Sequence, residues 1–589
     1  MLPIILLAFV SPAAASIQHN RAYDSPSYRA PQLGTSRELA RRNHKRWEYY
    51  DGQLDFPYNV ASGDPEPDSV ILWTHPVVTS EDSRPVCLEY QVSKNNDSWS
   101  DLVASDQVWT TADVDYSYKV EAGGLEPKTT YYYRFVNCAD KNNASPVGRF
   151  KTTPTEDDNE IDKLSFAVFS CSNYPYGFFN AYGNAAARDS IDYAVHVGDY
   201  IYEYRGDGCD DYYSCYGDGR DIGRVPEPNR ELFLLDDYRQ RYAQYRSDPD
   251  LQALHQSHAW QLVWDDHEVA DNTWKSGSAD SNDTVSGTQY NTSFTERKAN
   301  AVKAYFEWMP IRTVDTDDSL RIWRSFKFGT LADLYLLDTR QYNRDLTDLY
   351  YNTDEVKLLT EEEHRSLMGG RQENWLYHGL KNSSERGAQW KILGQQIVST
   401  DMVIVYLVAN LVSDNVDAWD GYKANRRRIL DTVSQNNIDN VIVISGDSHA
   451  NWVSDITYDD KEGYNTVTGD GSYLVEFAGT AVSSPSSHGY NSTANKPLPK
   501  EEYLQVAQKL INATGNEELQ WTEGATRGYF ELHFTRQEAT AIYYGIDDVR
   551  VHSKNETALA TFVVEDKANK LRRPVADGKV NGGWLAQRG

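Results

Sequence analysis

Cysteine is scarce in this chain: 589 residues hold five, an odd number that leaves one thiol over from any pairing. Long apolar runs are missing too. The one that opens the chain, in residues 1–16, is far too short to span a bilayer, and no later stretch qualifies. Cationic side chains are in deficit, 58 Lys and Arg against 87 Asp and Glu, for a formal net charge of −29. Such a surface repels nucleic acid and anionic membrane, which argues against a nucleic-acid-binding surface. It also repels a phosphate ester at a distance, so attraction for an anionic substrate has to come from local cations. No Gly-x-Ser-x-Gly elbow occurs, which weakens any reading as a serine-nucleophile enzyme. A disorder bias and a repeat period are likewise absent.

What is present is globular: 40% hydrophobic and 25% charged residues, with 41 Tyr and 15 Trp to fill a core. The length favours two domains. Residues 1–15, an apolar run ending in small residues, read as a secretory signal cut after Ala15. Eight Asn-x-Ser/Thr sequons, at Asn96, Asn143, Asn282, Asn291, Asn382, Asn491, Asn512 and Asn555, suit a secreted glycoprotein. Residues 16–50, with seven Arg or Lys against three Asp or Glu, read as an unstructured leader or solvated arm. Cys87 and Cys138 fall in one region and can bridge. Cys209 and Cys215 flank an acidic, Tyr-rich loop and can form a short clip. Cys171 is then either a buried inert thiol or a thiolate ligand.

Residues 51–154 show short alternating strands with Gly/Pro punctuation, as in Val70–Trp73, Leu88–Val92 and Tyr131–Phe135, and predict a small β-sandwich. The polar stretch 153–160 reads as a linker. Beyond it, over 161–560, apolar runs alternate with helix-period segments at 232–245, 296–308 and 374–380. The runs lie at 164–169, 193–197, 259–264, 334–337, 390–393, 441–444 and 473–477. Residues 561–589 read as a C-terminal tail. The pattern predicts a two-domain α+β/α/β chain, and says nothing of its oligomeric state.

In open α/β sheets ligands bind beyond the carboxyl ends of strands. Here those ends carry Cys171, Asp199, Asp265 and Asp266, Asp338, and Asp447. Asp338 reads as a structural cap. In Gly198-Asp-Tyr-Ile-Tyr202, Asp199 and Tyr202 can reach one cation if the chain turns; a phenolate suits ferric iron better than calcium or magnesium. In Trp264-Asp-Asp-His-Glu268 three carboxylates crowd an imidazole, with no Lys or Arg between Gln261 and Trp274 to neutralise them. Asp266 reads as a ligand, and Asn272 lies at a distance that can return its amide oxygen. His267 reads as the group beside the leaving oxygen. In Gly446-Asp-Ser-His449, Gly446 permits a sharp exit, after which Asp447 and His449 can face one side. Hard cations need several oxygen ligands, and a shared carboxylate makes a multinuclear site. The three segments together point to a metal-dependent phosphoester hydrolase. Arg239 and Arg241, on the predicted helix around 237–242, are candidate phosphate contacts or else a solvated helix face.

The chain resembles the PhoD-type alkaline phosphatase/phosphodiesterase family over nearly all of 56–560. The resemblance rests on Val60-Ala-Ser-Gly-Asp-Pro65, Tyr131-Tyr-Tyr-Arg-Phe135, Phe169-Ser-Cys171, His196-Val-Gly-Asp-Tyr-Ile-Tyr-Glu-Tyr204, Trp264-Asp-Asp-His-Glu-Val269, Leu337-Asp-Thr-Arg-Gln-Tyr342, Gln372-Glu-Asn-Trp-Leu376 and Ser445-Gly-Asp-Ser-His449. It implies a fibronectin-like N-terminal domain and a calcineurin-like metallophosphatase sandwich of two sheets flanked by helices. It also implies one ferric ion and two calcium ions. Carried over, Cys171, Asp199 and Tyr202 would hold the iron, and Asp266, Asn272 and Asp447 calcium, with Asp199 bridging. Asp265 and His449 would join the first or second shell. The stretch Ala270-Asp-Asn-Thr-Trp274 is less Asn-rich than the family pattern. The implied reaction is hydrolysis of phosphate mono- or diesters by in-line attack of metal-bound hydroxide. The competing reading is a glycan- or cell-wall-binding protein on an inactive phosphatase scaffold.

Overall fold

The computed structural model describes residues 48–588 except 80–82, 207–218, 279–291, 316–317, 319, 347, 349–351, 402, 407–410, 487, 489 and 492–495. The signal segment, residues 16–47 of the leader and the Cys209/Cys215 loop therefore lie outside the described residues, while Tyr50, at the leader's end, is buried in the core.

Two large mixed sheets face one another. In the first, of nine strands, Lys163–Phe169, Tyr193–His196 and Ala259–Leu262 run parallel at the centre. Arg527–Thr535, Glu538–Ile546 and Thr557–Glu565 extend it antiparallel on one side. In the second, of eight, Ala332–Leu336, Trp390–Gly394, Val441–Ser445 and Leu474–Ala478 are parallel; Asn451–Ile456 and Leu519–Glu523 follow antiparallel. Every apolar run predicted after residue 161 is one of these strands. They are legible because parallel strands buried on both faces read as continuous apolar sequence. The helices Leu235–Arg246, Phe294–Trp308 and Gly369–Arg386 match the three helix-period segments. One continuous core fills the space between the sheets. Phe166 of the first meets Phe328 of the second at 5.3 Å between ring centroids, and Phe534 meets Trp390 at 5.8 Å.

The N-terminal β region holds a four-stranded sheet: Ala104–Thr110, Val86–Ser93, Thr130–Asn137 and Gly148–Lys151. It packs on a second face made of Val60–Gly63, Ser69–Thr74 and Tyr118–Gly123, with Tyr118 against Phe135 at 5.8 Å. That second face is not closed on itself. Val60–Gly63 pairs in parallel with Ala259–Leu262, so these three strands complete the nine-stranded sheet. The pairing could not be read from sequence, because two short apolar strands about 200 residues apart carry no mark of their partner. Cys87 and Cys138 form a disulfide, as their placement suggested.

Two regions differ from the expected outline. The polar linker is pinned: Lys128 pairs with Asp158, whose carbonyl accepts from Thr330 N at 2.8 Å. The C-terminal residues also belong to the fold. Trp584–Leu585 is the edge strand of the eight-stranded sheet. Arg588 donates to the carbonyls of Ile511 and Asn516 at 2.7 and 2.8 Å, capping the helix Lys500–Ile511.

Glu518, just before the Leu519–Glu523 strand, is fully buried, and burial pushes its carboxyl up to about 8 despite Arg426. An acid whose folded value exceeds its unfolded value of about 4.5 binds its proton more tightly when folded. Its contribution is intact below that unfolded value and is lost as pH rises through about 8. Glu518→Gln should therefore raise the thermal midpoint at pH 9 and give no gain near pH 4, measured by calorimetry. Equal gains at both pH values would count against this assignment.

Candidate metal centre

The exits of four strands from the two facing sheets converge. Cys171 follows Lys163–Phe169, and Asp199 and Tyr202 follow Tyr193–His196. Asp265, Asp266 and His267 follow Ala259–Leu262; Asp447 and His449 follow Val441–Ser445. Cys171, Asp199, Asn272, Asp447 and His449 all have left-handed backbone, with φ of 62°, 56°, 48°, 61° and 56°. Non-glycine residues held there store strain, and such residues cluster at functional sites. Gly446 serves differently from the expectation of a special turn geometry. It is not among the positive-φ glycines; a Cβ there would lie 2.7 Å from Ser170 Cβ, so glycine lets the two sheets' exits touch. Gly198 combines both demands, with φ of 113° and Asp265 Cβ 2.3 Å from where its own Cβ would stand.

Three overlapping groups of ligand atoms result, each with its atoms within 4.8 Å of one another: Cys171, Asp199 and His449; Asp199, Asp266 and His267; Asp265, Asp266 and Asp447. Asp199 and Asp266 belong to two groups each, the arrangement a shared carboxylate requires. Tyr202 joins the first group. Its hydroxyl donates to Asp199 Oδ2 at 2.8 Å, lies 3.0 Å from His449 Nε2, and accepts from Ser484 Oγ at 2.8 Å. Asn272 N donates to Asp266 Oδ2 at 2.7 Å, and its Nδ2 donates to the Asp348 carbonyl at 3.0 Å, leaving Oδ1 as the amide's ligating atom.

Around these sits a layer that only the structure reveals. Glu268 ties two exits together, accepting from Tyr200 N at 2.5 Å, Asp265 N at 2.8 Å and Asp199 N at 3.2 Å. Glu203 holds His267 Nδ1 at 2.7 Å and accepts from Asp271 N at 2.6 Å. Asp338 is the cap it was expected to be, accepting from Arg340 N at 3.0 Å and Gln341 N at 2.8 Å. The cation missing from 261–274 is Arg340, fully buried, with Nε 2.5 Å from Asp265 Oδ1 and Nη1 2.6 Å from Asp417 Oδ2. Its Nη2 pairs with Asp447 and lies 3.9 Å from Asp266 Oδ1. Three crowded acids with no nearby base signalled that a remote cation was needed, but not which one.

The expectation for Arg239 and Arg241 is corrected. Arg239 grips Glu307 through two hydrogen bonds of 2.8 and 2.9 Å. Arg241 is buried and spends its guanidinium on the carbonyls of Tyr202, Tyr204 and Glu227, the last two at 3.1 and 3.0 Å. A guanidinium whose N–H groups are mostly engaged by carbonyl or carboxylate oxygens is a poor partner for phosphate. Arg241 instead shapes the turn that carries Tyr202.

The electrostatics test whether cations fit. Five carboxylates, of Asp199, Asp265, Asp266, Asp417 and Asp447, meet two guanidinium groups, those of Arg340 and Arg344. Burial, reinforced by Asp266, Glu268 and Asp447, drives the Asp199 carboxyl well above the usual carboxylate range. Asp265 moves the same way through burial, despite Arg340. Asp447 is raised to about 6, by burial and Asp417 against Arg340. Asp266 goes down, since Arg340 and His267 outweigh its burial. His267 is pushed well up: burial opposes its charge, but Asp266, Glu203 and Asp199 overcome it. Burial and Arg527 bring His449 down to about 3, leaving a neutral imidazole fit to ligate. Burial, with Asp199 beside it, lifts the Cys171 thiol far up, so only a bound cation would make it a thiolate. Asp199 Oδ1, Asp265 Oδ2 and Asp266 Oδ1 are buried and accept no hydrogen bond. Buried carboxylate oxygens without hydrogen bonds, gathered this closely, are what a multivalent cation satisfies. The residues fit metal ions.

Comparison with known proteins bears on this geometry. The PhoD-like phosphatase family model matches residues 166–543, and that of the PhoD-like phosphatase N-terminal domain matches 42–154. Alkaline phosphatase D of Bacillus subtilis (strain 168) is 33% identical over 538 residues, 90% of this chain and 84% of that protein. A solved structure of PhoD superposes with a TM-score of 0.73 at 29% identity, covering 92% of this chain and 95% of that one. The purple acid phosphatase PPD1 from yellow lupin (Lupinus luteus) seeds reaches 0.50 at 13% identity, over 87% and 75%, a likeness of fold alone. Strand exits, shared carboxylates and family matches over both regions lead to one conclusion: this chain belongs to the PhoD-like phosphatase family and is a phosphoric ester hydrolase.

Proposed function

We propose that this chain is a secreted, metal-dependent phosphatase/phosphodiesterase acting on phosphate mono- and diesters. The observation that carries the reading is the chain of three ligand groups linked through Asp199 and Asp266. Cys171, Asp199 and Tyr202 suit ferric iron, since phenolate and thiolate favour a highly charged ion. Asp266, Asn272 and Asp447 offer the oxygen ligands that calcium prefers, with Asp265 and His449 adjoining the cluster. When bound, such cations acidify water to make a nucleophile and neutralise charge on the phosphoryl oxygens.

The chain's own residues do the rest. Glu203 fixes His267 through Nδ1, and Nε2 is assigned to protonating the departing alkoxide and not to a metal, which leaves Asp199 and Asp266 as the ligands of the middle group. The His267 ring lies against Tyr202, 4.2 Å between centroids, so its orientation is set from two sides. Burial of Asp199 and Asp266, at 1% and 2% exposure, keeps competing water from their oxygens.

The N-terminal signal, the Cys87–Cys138 disulfide and exposed sequons at Asn96, Asn382, Asn512 and Asn555 support export to an oxidising compartment. Asn143 suits a glycan less, because its side chain bonds Leu54 N and O, each at 2.9 Å. Asn282 and Asn291 lie outside the described residues. Among the described residues no helix is long and apolar enough to cross a membrane.

Chelation should abolish turnover of an aryl phosphate and of its diester, and metal should restore it; full activity in chelator would end the metal reading. His267→Ala should slow alkyl phosphates with poor leaving groups by about 100-fold or more, and aryl phosphates far less. Equal losses on both substrates would remove the acid role. Purified protein should absorb visible light through phenolate and thiolate bound to ferric iron, and Tyr202→Phe should shift or erase that band. An iron-free, colourless and fully active enzyme would overturn the Tyr202 and Cys171 assignments.

A further inference from the structure

Arg340 sits where a metal ion's charge would also act. It is completely buried, and its guanidinium reaches carboxylates from three separate segments: Asp265, Asp417 and Asp447. Two of these, Asp265 and Asp447, also supply atoms to the third ligand group together with Asp266. The backbone that carries Arg340 is pinned. Its own N–H is held by Asp338 Oδ1 at 3.0 Å. The neighbouring Thr339 donates from N and Oγ1 to Gln396 Oε1, at 3.0 and 2.6 Å. Gln396 Nε2 in turn donates to the Trp264 carbonyl at 2.7 Å and the Leu337 carbonyl at 2.8 Å. The loop bearing Arg340 is thus stitched to the exit bearing Asp265 and Asp266. Arg344 anchors the far side by pairing with Asp417 at 2.9 Å.

Carboxylates this close and this buried cannot all stay ionised without positive charge among them. A fixed guanidinium supplies part of that charge whether or not a metal is present. A guanidinium and a metal drawing on the same oxygens also repel one another. We propose that Arg340 is a resident counter-cation. It keeps the ligand cluster assembled in the calcium-free protein, and for the same reason it weakens calcium binding. The inference rests on the reading of this cluster as a cation site. It makes Arg340 a positioning residue that acts through Asp265 and Asp447, not a group that touches substrate.

The test compares the full chain with Arg340→Met, which removes the charge, and Arg340→Lys, which keeps it. Melting is followed by calorimetry in excess calcium-selective chelator and in calcium chloride, and calcium is titrated into the stripped proteins by isothermal calorimetry. Arg340→Met should melt well below wild type in chelator, recover most of the loss in calcium, and bind calcium about tenfold more tightly. Arg340→Lys should stay close to wild type in chelator. If Arg340→Met is unfolded without calcium, refolding on calcium addition is the expected outcome and failure to refold the contrary one. Equal destabilisation with and without calcium would make Arg340 only a packing element and overturn the proposal. So would weaker calcium binding by Arg340→Met, or a lysine variant as unstable in chelator as the methionine one. Should wild-type melting ignore calcium altogether, the cation site itself fails, a result distinct from any of these.

Discussion

Negative charge crowded at the meeting point of two sheets is the constraint to which the rest of this structure answers. Asp199, Asp265, Asp266 and Asp447 leave three strands whose apolar bodies are buried, so Asp199, Asp265 and Asp266 are shut off from bulk water and Asp447 is only partly open to it. Burying an ionised carboxylate without a partner costs several kcal/mol in general, far more than a typical hydrogen bond returns. The chain meets that cost in two ways. Glu268 and Glu203 spend their own oxygens on backbone amides and on His267, which fixes the turns, while Arg340 and Arg344 supply charge. Asp199 Oδ1, Asp265 Oδ2 and Asp266 Oδ1 are left without a hydrogen bond.

Fixing those turns requires a rigid frame, and the N-terminal region contributes to it. Val60–Gly63 lies in parallel beside Ala259–Leu262, the strand whose exit carries Asp265 and Asp266. Gly63 permits this closeness, since a Cβ there would stand 2.9 Å from the Trp260 carbonyl oxygen and 2.1 Å from that of Pro310. Asp64 then binds Arg324 through two hydrogen bonds of 2.9 and 2.6 Å, reaching an edge strand of the opposite sheet. A β region that reads as a separate module thus closes both the edge of one sheet and the gap to the other. Its removal would expose a strand edge and leave buried Arg324 unpaired, two separate costs.

The sequence disclosed the strands and the ligand-bearing exits, because both are local facts. A buried parallel strand is an apolar run, and a polar residue just past it is conspicuous. Whatever depends on a distant partner stayed hidden. Arg340 lies 75 residues from Asp265, and nothing around Leu337-Asp-Thr-Arg-Gln-Tyr342 says which acids it will meet. The role of Arg241 is hidden for the same reason: a cation on a helix looks alike whether it faces water, phosphate or, as here, the carbonyls of a neighbouring turn. The left-handed backbone at Cys171, Asp199, Asp447 and His449 left no trace in sequence either. Asp tolerates such geometry without advertising it, and for Cys and His tertiary contacts impose it.

That strain and the charge crowding are one phenomenon. An extended exit would set Asp447 and His449, two residues apart, on one face and roughly 7 Å apart along the strand instead of turning each toward its own partner. A left-handed step at both residues folds Asp447 toward Arg340 and His449 toward Tyr202. Each such step costs roughly 1 kcal/mol or more, so something must hold it. Arg527 does part of this, donating at 2.7 Å to the carbonyls of both His449 and Ser484, and those residues' side chains flank the Tyr202 hydroxyl. The phenol is therefore placed by backbone geometry two contacts away. Ligand atoms held by so rigid a frame favour, as a rule, ions whose charge and size match their spacing.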